Sequence, residues 1–253
     1  MKTFKLIGMA LFAVLMCVNF AACSGSDDDP TEEPEEGGVV VSGKKIAKIV
    51  RVINDKYVQI FSYSYDKKGR LAQKIITNGV DDPTPTIKEF IWGDDVVKVI
   101  SGTSTDTYII ENGRVRYCDD GFYSYNKSNR FIYFEEKSEY PDIISAIWED
   151  DKMVLFSDQD RDNVKLTYEK SCAKGYFPII LVMPDFDLDL MITHPDLFGM
   201  RTVQLPAKRI ETNRNNIETY SYTYEFDKEG YISKMTIKGN EDNSLWTYDL
   251  TWK

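Results

Sequence analysis

The sequence predicts an all-β domain, an antiparallel meander of hairpins with one irregular, partly helical insertion. Three observations predict it. From Lys44 onward, strand-sized runs of aromatic and β-branched residues alternate with Gly, Asn and Asp at regular spacing. One hairpin unit recurs, "YSYDKKGRLAQKII" from Tyr63 and "YEFDKEGYISKMTI" from Tyr224. No long apolar pattern of period 3.6 competes across this region.

The elements follow in chain order. "MKTFKLIGMALFAVLMCVNFAAC" begins with Lys2 and Lys5, continues in an apolar run and ends on Ala21, Ala22 and Cys23. That is the plan of a secretory signal peptide over 1–22. Its "FAAC" ending resembles the lipobox of bacterial lipoproteins, with Phe20 where leucine is usual. The resemblance implies that Cys23 is lipidated, palmitate included, and becomes the mature N-terminus. Cys17 fits poorly, because bulky Met16 precedes it. Each buried methylene of such an anchor contributes about 0.8 kcal/mol, and more than one chain makes anchoring stable.

Residues 23–43 form the next segment. Asp27, Asp28, Asp29, Glu32, Glu33, Glu35 and Glu36, mixed with Pro30, Pro34, Gly37 and Gly38, repel one another and cannot build a core, so the segment reads as a flexible tether. "CSGSDDD" also resembles the surface-export signal of lipoproteins from Bacteroides-type bacteria. The expected location is therefore the outer membrane, lipid-anchored and exposed at the cell surface.

A single β-rich domain is expected over 44–253. "KKIAKIVRVI", "YVQIFSYSY", "IKEFIW", "VVKVIS", "DTYII", "RVRYC", "RFIYF" and "LWTYDLTW" are its strand-like runs. In "YDKKGRL", Asp66 caps a type I turn and Gly69 takes positive φ. Asn112 and Gly113 suit a tight two-residue hairpin. Tyr63 aligns with Tyr224, Asp66 with Asp227, Gly69 with Gly230, Leu71 with Ile232 and Ile76 with Ile237, so the domain reads as a degenerate hairpin repeat held by cross-strand aromatic and β-branched pairs.

One region, 170–205, breaks the pattern. It holds Pro178, Pro184 and Pro195, with Pro206 just beyond, and proline belongs at edges and turns rather than in central strands. The expectation is a long connection with a short helix within 185–198, laying Leu188, Met191 and Ile192 against the sheet and covering one of its openings.

Taken together, the lipobox, the acidic tether, the "Y-x-Y-D-x-x-G" hairpins, "FGMRTVQLP" and the closing "WTYDLTWK" resemble one family. It is an uncharacterised lipoprotein domain family of Bacteroides-type bacteria, a domain of unknown function described as having a porin-like fold. The resemblance implies a strongly curved or closed, barrel-like antiparallel sheet and no known activity. Membrane barrels need strands of about 9–11 residues with an unbroken apolar outer face. Here strands such as "IAKIVRVI" and "RLAQKII" are shorter and carry charge on either phase, so the domain is expected to be soluble rather than membrane-spanning.

Composition narrows the function. The formal charge of −10 comes from 31 basic and 41 acidic residues; without the signal's two lysines and the tether's seven acids, 29 and 34 remain, near −5. With no basic stripe, a nucleic-acid partner is not expected. His194 is the single histidine and stands before Pro195 with no nucleophile or acid at a recognisable spacing, so it reads as a surface or capping residue. No catalytic residue is assigned, and no cofactor.

Asp158, Asp160, Asp162 and Glu169 stand at the first, third, fifth and twelfth positions of a calcium loop. The strand-like flanks "MVLFS" and "VKLTY" make a polar hairpin tip the better reading, and Asp185, Asp187 and Asp189 form a weaker series, so no metal ligand is assigned. Cys118 and Cys172 remain in the domain, and whether they pair is not legible. Thirty of the thirty-three aromatics lie in the domain; Tyr and Trp suit ligand contact as well as strands. These readings converge on a non-enzymatic surface module that binds a glycan or protein partner. The alternative is a carrier of a lipid or other apolar ligand inside the curved sheet, with 179–182 and 186–192 as an apolar lid. A hydrolase ranks third.

Overall fold

A computed structural model describes residues 43–79, 82–139, 141–158, 163–182, 189–213, 216–241 and 243–253. Cys23, the signal and tether, Asp160, Asp162, Asp185, Asp187 and Leu188 lie outside the described residues. The chain first forms β1 (Ile46–Ile53), β2 (Tyr57–Tyr65), β3 (Leu71–Asn78), β4 (Asp82–Trp92), β5 (Val96–Ser101) and β6 (Ser104–Glu111). There follow β7 (Arg114–Cys118), β8 (Gly121–Tyr125), β9 (Phe131–Glu136), β10 (Ile143–Glu149), β11 (Lys152–Asp158) and the long β12 (Asn163–Phe177). After the connection come β13 (Thr202–Asn213), β14 (Asn216–Phe226), β15 (Ile232–Gly239) and β16 (Leu245–Trp252). Each strand pairs antiparallel with its sequence neighbours, and β1 pairs with β16, so the sixteen strands close into a barrel. Closure satisfies the backbone along every strand and leaves no edge.

The turns follow the chemistry read in the sequence. Asp66 Oδ1 accepts from the amides of Lys68 and Arg70, and Gly69 has φ 76°. Asp227 does the same for Glu229 and Tyr231, with Gly230 at φ 91°. A third copy uses amides throughout: Asn126 accepts from Ser128 and Arg130, and Asn129 takes φ 57°. These three turns lie at one end of the barrel, where the chain also enters at Gly43 and leaves at Lys253.

At that same end a device recurs around the wall. β1, β3, β7, β9, β11, β13 and β15 each hold one extra residue against the preceding strand, Ala47, Ala72, Arg116, Ile132, Val154, Ala207 and Ser233 respectively. A bulge of this kind takes a carbonyl out of the ladder and increases twist. In all seven cases the carbonyl just before the extra residue accepts a hydrogen bond from an aromatic side chain of the following strand. Tyr65, Trp92, Tyr125, Trp148, Tyr168, Tyr224 and Trp252 donate to Ile46, Leu71, Val115, Phe131, Met153, Pro206 and Ile232, at 2.5–2.7 Å. β5 pairs with β4 without a register shift, and Ile110, next to last in β6, stands where a donor would be. The one-residue bulge of the odd-numbered strands at this end and the aromatic clasp thus occur together and are absent together.

The connection is narrower than expected, because β12 continues to Phe177 and β13 begins at Thr202. Between them lie a 3-10 turn (Ile179–Val182), helix α1 (Asp189–Thr193) and a second 3-10 turn (Pro195–Phe198). The helix falls inside the predicted window, and Met191 and Ile192 are buried as expected.

The segment covers the bulged end by touring its hairpins. Tyr176 packs edge-on against Trp252, at 5.4 Å between centroids, and Phe177 against Tyr224 at 5.9 Å. Asp189 then pairs with Lys74 of β3 and, at 3.2 Å, with Lys88 of β4. Phe198 packs against Tyr123 at 5.4 Å and Tyr108 at 6.4 Å. Gly199 has φ 60°, and a Cβ there would lie 2.2 Å from the Asn129 carbonyl oxygen, so glycine is required where the plug passes that turn. Finally the Thr202 hydroxyl donates to the Asp151 carbonyl at 2.7 Å.

Candidate functional site

Strand alternation sends every second side chain into the lumen, and the two halves of the lumen wall differ. Over β4–β12 the inward positions are mainly apolar, with charged Lys88 beside Asp189 near the plug: Phe90, Val97, Val99, Tyr108, Tyr123, Ala146, Phe156 and Val164 are all buried. Gly121 belongs to this wall, since a Cβ on it would meet the Phe134 ring at 2.8 Å. Phe198 and Leu197 of the plug cover part of it and are fully buried themselves.

The other arc, β13–β16 with β1–β3, turns polar toward the end opposite the plug. Arg51 donates to Gln59 across the β1–β2 ladder. Gln59 donates onward to Asn78 at 2.8 Å and to the Tyr57 hydroxyl at 2.9 Å. On the far side of β16, Arg209 pairs with Glu211 at 3.0 Å and stacks over the Tyr220 ring at 4.1 Å. Tyr220 donates to Glu218 and lies 5.6 Å from Trp246. Tyr248 and Tyr222 stand between the two arginines.

The electrostatics reflect this crowding. Burial raises the pKa of Tyr248, opposed by Arg51, and raises that of Tyr222, opposed by Arg209. Burial and then the bond to Glu218 raise Tyr220. These hydroxyls therefore stay protonated and serve as donors. Two guanidiniums, two carboxylates, two side-chain amides and five large aromatics converge on one mouth. Such a set holds polar, hydroxyl-bearing molecules by hydrogen bonds and flat apolar contact.

The residues singled out in the sequence are dispersed. His194 is 1 % exposed, a correction to its expected place at the surface. Thr193 Oγ1 donates to the Asp189 carbonyl at 2.9 Å and lies 2.9 Å from His194 Nδ1, so the ring proton sits on Nδ1. Nε2 is buried without a hydrogen-bond partner, and the ring packs 5.1 Å from Trp92. Burial, reinforced by nearby Lys45, lowers its pKa to about 3, so the imidazole is neutral and fills space in the plug.

Asp158 ends β11, while Glu169 is exposed on β12, six residues beyond Asn163. At about 3.3 Å per residue the extended strand carries Glu169 roughly 20 Å from the hairpin tip, too far to close one loop with Asp158. Asp189 of the second acidic series is paired with lysines in the lumen. Among the described residues no cluster of His, Cys, Asp or Glu has the geometry of a metal site. Cys118 carries a free thiol and so is not bonded to Cys172. It lines a rim depression of about 690 Å³ with Tyr117, Phe122, Glu135 and Glu136, and burial raises its pKa, which leaves it a poor nucleophile.

Sequence reasoning did not reach the lumen set. Arg51, Gln59, Arg209, Glu211 and Glu218 are spread over four strands, β1, β2, β13 and β14, and only closure of β1 on β16 brings them around one opening. The single local signal is charge on the phase that also carries core residues, as with Arg51 two positions after Ile49.

No protein-family model matches the chain, and no curated protein matches it. Solved structures that share the fold include two porin-like proteins. A porin-like protein from Bacteroides uniformis superimposes with a TM-score of 0.63 at 15 % identity, over 82 % of this chain and 96 % of that one. A porin-like protein from Bacteroides vulgatus gives 0.58 at 11 % identity, over 83 % and 99 %. The porin-like fold implied by the sequence resemblance is thus the fold of this chain.

Proposed function

We propose that this protein is a lipid-anchored surface module of the bacterial outer membrane, a member of the lipoprotein domain family its sequence resembles, and that it binds a glycan at the polar mouth of its barrel without catalysing a reaction. The observation that carries the binding reading is the lumen arc of Arg51, Gln59, Asn78, Arg209, Glu211, Tyr220 and Trp246, all inward-facing and gathered at the end away from the plug.

Several features support the rest. Cys23 follows a lipobox-like sequence and precedes the acidic tether. The outer wall carries exposed Lys48, Glu89, Lys98, Lys165, Lys208, Lys238 and Asp249 on seven different strands, which suits water better than hydrocarbon. The only histidine is sealed in the plug, away from the mouth. The apolar wall that a lipid cargo would need is partly covered by the plug's own Phe198 and Leu197, which favours the glycan over the apolar carrier.

The test is a glycan array probed with the mature chain, followed by calorimetry on the hits. Binding that falls at least about tenfold in Trp246→Ala, the loss expected for a buried aromatic contact, supports the reading. An array without hits, together with a copurifying lipid released by denaturation, replaces it with the carrier. Cys23→Ala should abolish incorporation of labelled palmitate, and retained label would refute the anchor.

A further inference from the structure

We propose that the saccharide taken at this mouth carries a carboxylate, and that Arg51 is the residue that recognises it. The proposal rests on the glycan reading above and names the class within it, an acidic saccharide built from hexuronic or nonulosonic units.

Arg51 reaches inward from the middle of β1, two residues after the buried Ile49, with its guanidinium 5.7 Å from the Phe61 ring centroid. One Nη donates to Gln59, and Tyr248 lies across the β1–β16 ladder within hydrogen-bonding reach. Its Nε is buried with no hydrogen-bond partner, and no carboxylate among the described residues pairs with it.

The neighbouring lumen charges are all engaged. Arg209 has Glu211, Lys74 and Lys88 have Asp189, and Glu218 accepts from Tyr220 and from Asn216 at 3.0 Å. Arginine stays charged at any pH the protein meets. A partly buried guanidinium with a bare Nε and no counter-ion is unfavourable until an anion arrives, and its planar fork fits a carboxylate in two parallel hydrogen bonds.

The surroundings set how such a ligand lies. Gln59 and Asn78 continue the polar ladder beyond Arg51 and suit ring hydroxyls. Tyr220 and Trp246 offer flat faces on the far side of Tyr248. Glu211 and Glu218 would repel an anion, but they sit on β13 and β14, with β15 and β16 between them and Arg51. The acid group therefore points to β1–β3, and the neutral face of the sugar lies over β14–β16.

The experiment is calorimetry of the mature chain with oligohexuronates and sialylated oligosaccharides, each paired with the same sugar after its carboxyls are reduced to primary alcohols. Expected is a preference of roughly tenfold to a hundredfold for the acidic form, the range for a charge-assisted bond. Arg51→Gln should erase that preference, so that the acidic and reduced forms bind the variant alike, and Arg51→Lys should keep part of it. A thermal unfolding curve that overlays that of wild type reports that the variant is folded. Equal affinity of wild type for both forms, or a preference that survives Arg51→Gln, overturns the inference and leaves the glycan reading standing. Absence of binding to either form across the set overturns both.

Discussion

His194 shows how a single buried side chain ties stability to pH. Its Nδ1 proton is given to Thr193, and a proton added at Nε2 would face an apolar pocket with no acceptor. The folded pKa of about 3 lies below the ordinary value of about 6.5. Between those values the unfolded chain binds the proton and the folded chain does not, so stability is complete above about 6.5 and is lost as pH falls toward 3. Urea midpoints measured from pH 7 to pH 4 should decline in wild type and stay flatter in His194→Gln; parallel curves would refute the assignment. Asp189 carries a larger load, since it neutralises Lys74 at 1 % exposure. Asp189→Asn leaves that ammonium buried with its main counter-charge gone and should cost on the order of 3–5 kcal/mol. Lys74→Met in the same chain should recover part of the loss, and an additive double variant would show that the two do not couple.

At the scale of the element, the repeated unit is a bulge closed by an aromatic clasp. Tyr168→Phe removes one hydroxyl and strands the Met153 carbonyl, for an expected loss of about 1–3 kcal/mol by chemical denaturation. Phe226, which makes no clasp, should tolerate Leu within about 0.5 kcal/mol; equal losses at the two positions would mean that area rather than the hydrogen bond matters. The sequence exposed the hairpins because turn chemistry is local: Asp66, Gly69 and Asp227 act within five residues. The clasps stayed hidden because each joins residues 10–21 apart in sequence across one ladder. Tyr63 and Tyr224 align as letters, yet the clasp of the first unit is Tyr65. In the second unit Phe226 stands at that position, and the hydroxyl comes from Tyr224 two residues earlier. The plug helix was legible from prolines flanking an apolar run, whereas its lumen partners Lys74 and Lys88 read as ordinary strand lysines. The polar lumen set was illegible for the same reason, as charge on an inward phase gains meaning only when the wall closes.

For the whole molecule, the arrangement of charge decides which solvent the barrel wall meets. Exposed lysines and acids on seven strands predict that a chain starting at Ser24 stays monodisperse in detergent-free buffer, as read by light scattering; precipitation until detergent is added would point to a lipid-facing wall. The closure of β1 on β16 also has a mechanical meaning. Lys45 and Lys253 exchange two backbone hydrogen bonds, of 2.8 and 2.9 Å, at the point where the chain enters the barrel. Beyond it β1 is laced to β16 on one side and β2 on the other along its whole length. Force applied at the N-terminal end of the barrel would thus load β1 along its length, with both ladders resisting in shear at once. Peeling would have to wait until that strand slid as a unit, so force arriving from the N-terminus would meet the barrel as one body and leave it intact.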